Sequence, residues 1–484
     1  MTEIMFGPYE PDVASVGTPK TSFVNNVFPR SDGYGPIPAV VAFTQALTGT
    51  CRGVTGAVQS DNSSAVFAGN DTRLFKLDAT TRAWDDVSRA ALYNVSAKEL
   101  WDFAQFGNDV IATTSNNNVQ RYTLGTSALF ADLAGSPPQA RRCFVVGDFL
   151  VLAGLTNNPN RVQWSDINNI TVWTPGTGLS DFQDFPDGGF VQGGSGGEYG
   201  LIFQDRAIRR MIFSGHPDIF QFQRISDDRG VLMRYSICKS GGTTFFLSND
   251  GYYKIDRGGG MVPIGSSRVN RTVLADADLT DPRFMIGLSD PLSQRVIWFY
   301  KSIGNGNSNL LDKAIIYDWA FDKWSKAEFS AINATGIIPL GVTLESLDAV
   351  GNLDALPFSL DSYTSTFSSA PAVMLSNGTL GFMNGSAMEA TLDTPEGSIG
   401  NGELTLIRGA APIGDASAAQ VSMKYRDRLI DPILATTETV IGTRGYAEQR
   451  VTARFNTARV RIPSGSTWTF ARGVDVDARK AGGR

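Results

Sequence analysis

The chain alternates between small polar turns and strand-like runs rich in aromatic and aliphatic residues. The pairing is clearest at GNDTRLFKL (69–77), SNNNVQRYTL (115–124), SNDGYYKI (248–255) and SNGTLGFM (376–383). FQDRAIRRMIF (203–213) and NNPNRVQWS (157–165) are weaker versions, and GNGNSN (304–309) leads into KAIIYDWAFDKWS. Asn, Asp and Gly at these places supply the positive φ values and local hydrogen bonds that tight hairpins need. A second apolar run precedes most turns, as in FVVGDFLVLAG (144–154), EYGLIF (198–203), TTFFLS (243–248) and RVIWFYKS (295–302). The repeating unit is therefore strand, tight turn, strand.

With Asn70, Asn117, Asn158, Asp205 and Asp250 as turn markers the spacings are 47, 41, 47 and 45 residues; Asn307 and Asn377 follow after 57 and 70. A period of roughly 40–50 residues with several strands per unit predicts a β-propeller. Seven turns predict six or seven blades, over about residues 37–392. One blade cannot bury both its faces, so radial stacking must supply the core, with Trp84, Trp164, Trp298, Trp319 and Trp324 filling the gaps between blades. The longer late spacings predict an inserted extension around 325–376. An elongated series of β-sandwiches is the alternative reading of the same pattern. SAKELWDFAQFG (96–107) offers Ser96 and Glu99 as a helix capping box, but LWDFAQFGNDVIAT alternates, and the strand reading is favoured.

Two segments fall outside the repeat. Residues 1–36 are rich in Pro and Gly and read as an extended arm, able to thread onto a neighbouring subunit or to lend a strand that closes the propeller. From residue 393 to 484, GELTLIRG, AQVSMKYRD, TTETVIGTRG, QRVTARFNTARVRIPSG and TWTFARGVDVDAR suggest five strands of an antiparallel β-sandwich. Its polar alternation at Arg454, Arg459 and Arg461 indicates one wet or partner-facing side. The expected fold class is all-β throughout.

Composition narrows what such a scaffold can do. Hydrophobic residues make up 42% of the 484, enough for a large core, and only 19% are charged. The net charge of −6 is uneven: the last 92 residues carry +3 and the first 392 carry −9. An acidic body argues against DNA held in a groove by phosphate neutralisation and is compatible with DNA sliding past. Cys51, Cys143 and Cys238 lie far apart, support neither a disulfide framework nor a zinc site, and read as buried thiols. The start, MTEIMFGPYEPD, is unlike a secretory signal, and no apolar run approaches the roughly 20 residues of a membrane helix. The expectation is a protein of a reducing cytoplasm, or of a particle assembled there, without stable membrane insertion.

Candidate chemistry is sparse. His216, in SGHPDIF, is the single histidine, and a Pro-flanked loop position suits a surface residue better than a catalyst. HExxH does not occur, and the GxSxG match at Gly193–Gly197 does not open a helical pattern as a nucleophile elbow would. Asp85–Asp86, Asp250 and Asp276–Asp278 are acidic spots that a propeller glycosidase could use, yet the S-x-D-x-G-x-x-W turns of sialidase-like propellers are missing. GGSGGEYG (193–200) lacks the Lys-Ser/Thr of a phosphate loop and reads as a flexible inter-blade link; LADADLTDP (274–282) lacks the Gly and terminal Glu of a calcium loop. The sequons at Asn94 and Asn169 carry little weight without a secretion signal. No catalytic, cofactor-binding or metal-binding residue is assigned, no cofactor is expected, and the chain reads as a non-enzyme.

Several stretches in order resemble the tail nozzle or hub family of short-tailed bacteriophages, which includes packaged-DNA stabilisation proteins. They are SFVNNVFPRSDGYGPIPA (22–39), ELWDFAQFGNDVIATT (99–114), NRVQWSDINNITVW (160–173), GLIFQDRAIRRMIFSG (200–215), FFLSNDGYYKID (245–256) and AIIYDWAFDKWS (314–325). The resemblance implies a structural virion protein, one of six subunits of a tail tube that retains packaged DNA and conducts it during ejection. It implies a tail adaptor and a fibre, spike or needle protein as partners. Double-stranded DNA would pass through the lumen without specific binding, and the particle would assemble in the host cytoplasm. The inserted extension would then serve a subunit, fibre or plug contact. A receptor-binding or lectin propeller at the virion tip, and a glycan hydrolase, are the alternatives.

Overall fold

A computed structural model describes residues 2–337 and 370–481. Five four-stranded antiparallel sheets follow one another along the chain and form blades 1 to 5, at 53–86, 102–132, 140–184, 191–226 and 238–263. A seven-stranded sheet completes the ring with two further blades. Its strand Lys323–Ile337 is shared: residues 323–331 pair with Leu311–Asp318 as the outer edge of blade 6, and residues 331–337 pair with Ala370–Leu375 as the innermost strand of blade 7. The outermost strand of blade 7 is Pro38–Ala42, from the other end of the chain, which closes the propeller.

Successive innermost strands touch around the ring. Gln105 of blade 2 accepts from the Val58 amide of blade 1 at 2.9 Å, Asp102 pairs with Arg142 of blade 3 at 2.9 Å, and Ile337 of blade 7 packs 3.2 Å from where a side chain on Gly56 would begin. The described residues form a seven-bladed β-propeller beside the sandwich. All seven turn markers lie between the second and third strands of successive blades. The reason is visible at Asn70, whose Oδ1 accepts from the Thr72 and Arg73 amides at 2.8 and 2.7 Å and so bends the backbone. The favoured reading of 96–107 is met by a hairpin, Asp102–Phe106 with Asp109–Thr113. Trp298 and Trp324 are fully buried, stack at 6.0 Å and reach Tyr252 of blade 5, while Trp164 meets Phe220 of blade 4.

Two six-stranded sheets form the sandwich. One contains Thr2–Met5, Val27–Arg30, Gly33–Pro36, Thr405–Gly414, Ala447–Ala453 and Ala471–Lys480. The other contains Val24–Asn25, Ala390–Asp393, Gln420–Arg426, Leu434–Ala435, Thr439–Val440 and Phe455–Ile462. The expected extended arm of residues 1–36 is thus corrected: it supplies four strands to the sandwich of its own chain. Its apolar residues decide this, because Phe6, Tyr9, Val24, Val27 and Tyr34 are all buried in the shared core. The run QRVTARFNTARVRIPSG holds two strands rather than one.

Sandwich and propeller share that core. Val421, Met423, Val460, Val474 and Val476 belong to the same buried cluster as Tyr252, Trp298, Tyr317 and Trp324. The arm is also bonded to blade 6, where Asn26 donates to the Glu389 carbonyl and accepts from the Glu328 amide, each at 2.8 Å. Of the expected extension at 325–376, the two ends are the paired strands just described, and residues 338–369 lie outside the described residues.

Candidate functional site: the axial mouth of the propeller

The acidic spots singled out in the sequence are each held by a separate partner. Asp276 takes Lys313 at 2.8 Å and the Tyr300 hydroxyl at 2.9 Å. Asp278, two residues on, takes Lys301 at 2.8 Å, and Asp250 takes Arg229 at 2.9 Å and the Tyr253 hydroxyl at 2.7 Å. Asp86 lies 3.4 Å from Arg73 on the outer edge of blade 1. His216 is exposed in the loop before the outermost strand of blade 4. Among the described residues no group of three or more His, Cys, Asp and Glu side chains is placed to hold a metal ion. The three cysteines are buried, and burial pushes the Cys143 thiol well above its usual range.

The glycines of GGSGGEYG correct the expectation of a flexible link. They form the innermost strand of blade 4, Val191–Ser195, and its first turn. A Cβ on Gly194 would stand 2.0 Å from Cε1 of the Phe144 ring, and one on Gly196 2.0 Å from the Val145 carbonyl oxygen. Their smallness lets blades 3 and 4 close on each other. Arg459 and Arg461 do face outward on the sandwich, but onto carboxylates: Arg459 on Asp393 at 2.6 Å, and Arg461 on Glu389 and Glu438 at 3.0 and 2.7 Å.

Polar groups converge instead where the chain passes into the innermost strands. The loop before blade 2 reaches over the axis: the Leu100 amide donates to the Tyr235 hydroxyl, before blade 5, at 2.8 Å, and Lys98 donates to the Thr280 carbonyl, before blade 6, at 3.2 Å. Blades 2 and 5 are three steps apart in a ring of seven, so these bonds span the opening and cap it. The innermost strands of blades 2 to 5 line an open cavity of 370 Å³.

Two arginines stand by the Tyr235 ring, and a third, Arg141, lies close enough to Arg234 to act on its charge. Arg142 bonds the Asp102 carboxylate at 2.9 Å and the Arg234 carbonyl at 3.1 Å, and its guanidinium lies 5.0 Å from the Tyr235 ring centre. Arg141 pairs with Glu99 at 2.9 Å, and Glu99 also accepts from the Ser115 hydroxyl at 2.6 Å. Arg234 sits 6.0 Å from the Tyr235 ring centre. Burial pushes the Asp102 carboxyl up despite the opposing pull of Arg142, and it raises Tyr235 as well. Burial lowers Arg234, and the nearby charges of Arg141 and Arg142 lower it further. The sequence hinted at this site only through the dibasic Arg141–Arg142 within a strand-like run; Arg234 lies 92 residues from Arg142 and carries no local signal.

No family model matches the chain, and no curated protein matches it. Solved structures resemble it at low identity. BamB from Moraxella catarrhalis is 11% identical over 74% of this chain and 92% of its own, with a TM-score of 0.37. The computationally designed Ika8 protein is 9% identical over 79% of this chain and 100% of its own, with a TM-score of 0.38. The extracellular domain of a hybrid two-component system from B. thetaiotaomicron is 8% identical over 82% of this chain and 47% of its own, with a TM-score of 0.44.

Proposed function

We propose that the chain is a structural protein of a phage virion, one subunit of an oligomeric tail tube that retains packaged DNA and conducts it during ejection. The reading rests on the ordered resemblance of six stretches to tail nozzle or hub proteins. Those stretches supply the arm that locks the sandwich to blade 6 and strands of blades 2 to 6. They are the framework of this chain rather than the lining of a cleft.

The capped axis bears on where DNA would run. A propeller whose opening is crossed by the Leu100–Tyr235 bond has no duplex-wide passage of its own. The lumen would lie between subunits, with each propeller as part of the wall and a tail adaptor and a fibre, spike or needle protein docked at the ends. The charge of −9 over residues 1–392 suits a wall that duplex DNA passes without sticking. Among the described residues no helix is long and apolar enough to cross a membrane.

A saccharide-binding propeller has less to rest on. An aromatic outer groove between blades 3 and 4 presents Phe182, but the Arg161 guanidinium already covers that ring at 3.6 Å from its centre.

Electron microscopy and mass measurement of the purified chain test the tube. A sixfold ring with a central channel is the expected result. A monomer or trimer at assembly concentrations, or a strongly basic ring lumen, would overturn it.

A further inference from the structure

Arg234 is the unbalanced charge of the axial mouth. Its Nη1 is shut off from solvent without a hydrogen-bond partner, and among the described residues its guanidinium forms neither an ion pair nor a hydrogen bond. Three carboxylates near the mouth have other partners in contact, although the charges of Glu99 and Asp281 are still felt at Arg234. Glu99 holds Arg141 and Ser115; Asp102 holds Arg142 and accepts from the Cys143 amide at 2.7 Å; Asp281 holds Arg283 at 2.9 Å. Lys98, which projects into the same region, is satisfied only by a neutral carbonyl. Among the described residues neither cation is in ion-pair contact with a carboxylate, although the chain's net charge is −6. A half-buried guanidinium with one idle, solvent-shielded donor is unfavourable unless an acceptor arrives to fill it.

We infer that the axial mouth is an oxyanion site, in which Arg234 grips a carboxylate or phosphate group through its planar fork and Lys98 adds a second positive charge. The chemistry fits both anions, because a guanidinium presents parallel N–H groups at the spacing of two oxygens on one carbon or phosphorus. The flanking Arg141 and Arg142 raise the local potential while remaining tied to their own carboxylates. The site belongs to the single chain and is independent of the tube reading.

The test is titration of the full-length chain with inorganic phosphate and, separately, with succinate, followed by calorimetry and by the thermal unfolding midpoint. Sodium chloride at matched ionic strength is the reference. Saturable binding with a raised midpoint is expected for one or both anions. Tighter phosphate binding would mark a phosphoryl ligand, and tighter succinate binding a carboxylate. Arg234→Gln should weaken binding about tenfold or more, the scale of one charge-assisted hydrogen bond. Arg257→Gln, at an arginine with a 79% exposed side chain, should leave it unchanged. Without anion, Arg234→Gln should be at least as stable as the wild type, because it removes an unpaired charge. Arg234→Lys keeps the charge but loses the fork, and should bind more weakly than the wild type. No saturable response beyond chloride, equal binding by the wild type and both variants, or failure of both variants to fold would overturn the inference.

Discussion

Gly194 and Gly196 show how a single missing methyl sets the fit of two blades. At Gly194 the obstruction is the Phe144 ring at 2.0 Å; at Gly196 it is the Val145 backbone carbonyl at the same distance. Ala at either position should destabilise the chain by about 1–3 kcal/mol or more through overpacking. The two should differ in rescue. Phe144→Leu should restore part of the stability lost in Gly194→Ala and none lost in Gly196→Ala, read from urea midpoints. Asp278 makes a pH prediction at the same scale. Its hydrogen bond from Lys301, with help from Thr280, holds the carboxyl down to about 2. A carboxyl depressed below its unfolded value of about 3.9 stabilises the fold above that pH and ceases to do so as pH falls towards its folded value. The contribution should therefore fade between about pH 4 and pH 2. Asp278→Asn should be less stable than the wild type at pH 7 and should approach it near pH 2.

At the scale of elements, the arm carries the junction. Asn26 adopts a left-handed φ of 56° and bridges Glu389 and Glu328 with its side chain, while its own amide donates to the Lys326 carbonyl at 2.9 Å. Asn26→Ala loses both side-chain bonds and strains the backbone, which should cost about 2–4 kcal/mol. Asn26→Gly loses the bonds but tolerates the φ, so its cost should be smaller by about 1 kcal/mol. Chemical denaturation separates the two. What the sequence shows and hides follows from the range of the interactions. Turns were legible because Asn70 and Asn377 bond amides two or three residues ahead, a purely local act. The arm was not, since Thr2–Met5 finds its partner at residues 473–476. Neither was the shared strand Lys323–Ile337, because one continuous strand crosses from blade 6 to blade 7 without a turn to announce the change. The arginine mouth was hidden for the same reason as the arm: its members meet only after three blades have closed.

For the whole molecule, the architecture suggests two bodies but the packing makes one. Both sandwich sheets and the aromatic residues of blades 5 and 6 share a continuous buried cluster. Residues 2–42 thread through everything: they pair with the last strand of the sandwich, cross to blade 6 through Asn26, receive Lys323 on the Arg30 and Ser31 carbonyls at 2.9 and 2.8 Å, and end as the closing strand of blade 7. Loss of either body would expose apolar surface of the other and release the strand that closes the ring. Propeller and sandwich should therefore unfold together, as a single calorimetric transition whose measured enthalpy matches the van't Hoff value, despite a length at which separate domains commonly melt apart. Asn26→Ala, which weakens the crossing point alone, should lower the midpoint before it splits the transition. Two resolved transitions in the wild type would mean that the junction yields first. A tube wall built from such subunits would then hinge at every copy, and the rigidity that the proposed role requires would have to come from contacts between subunits.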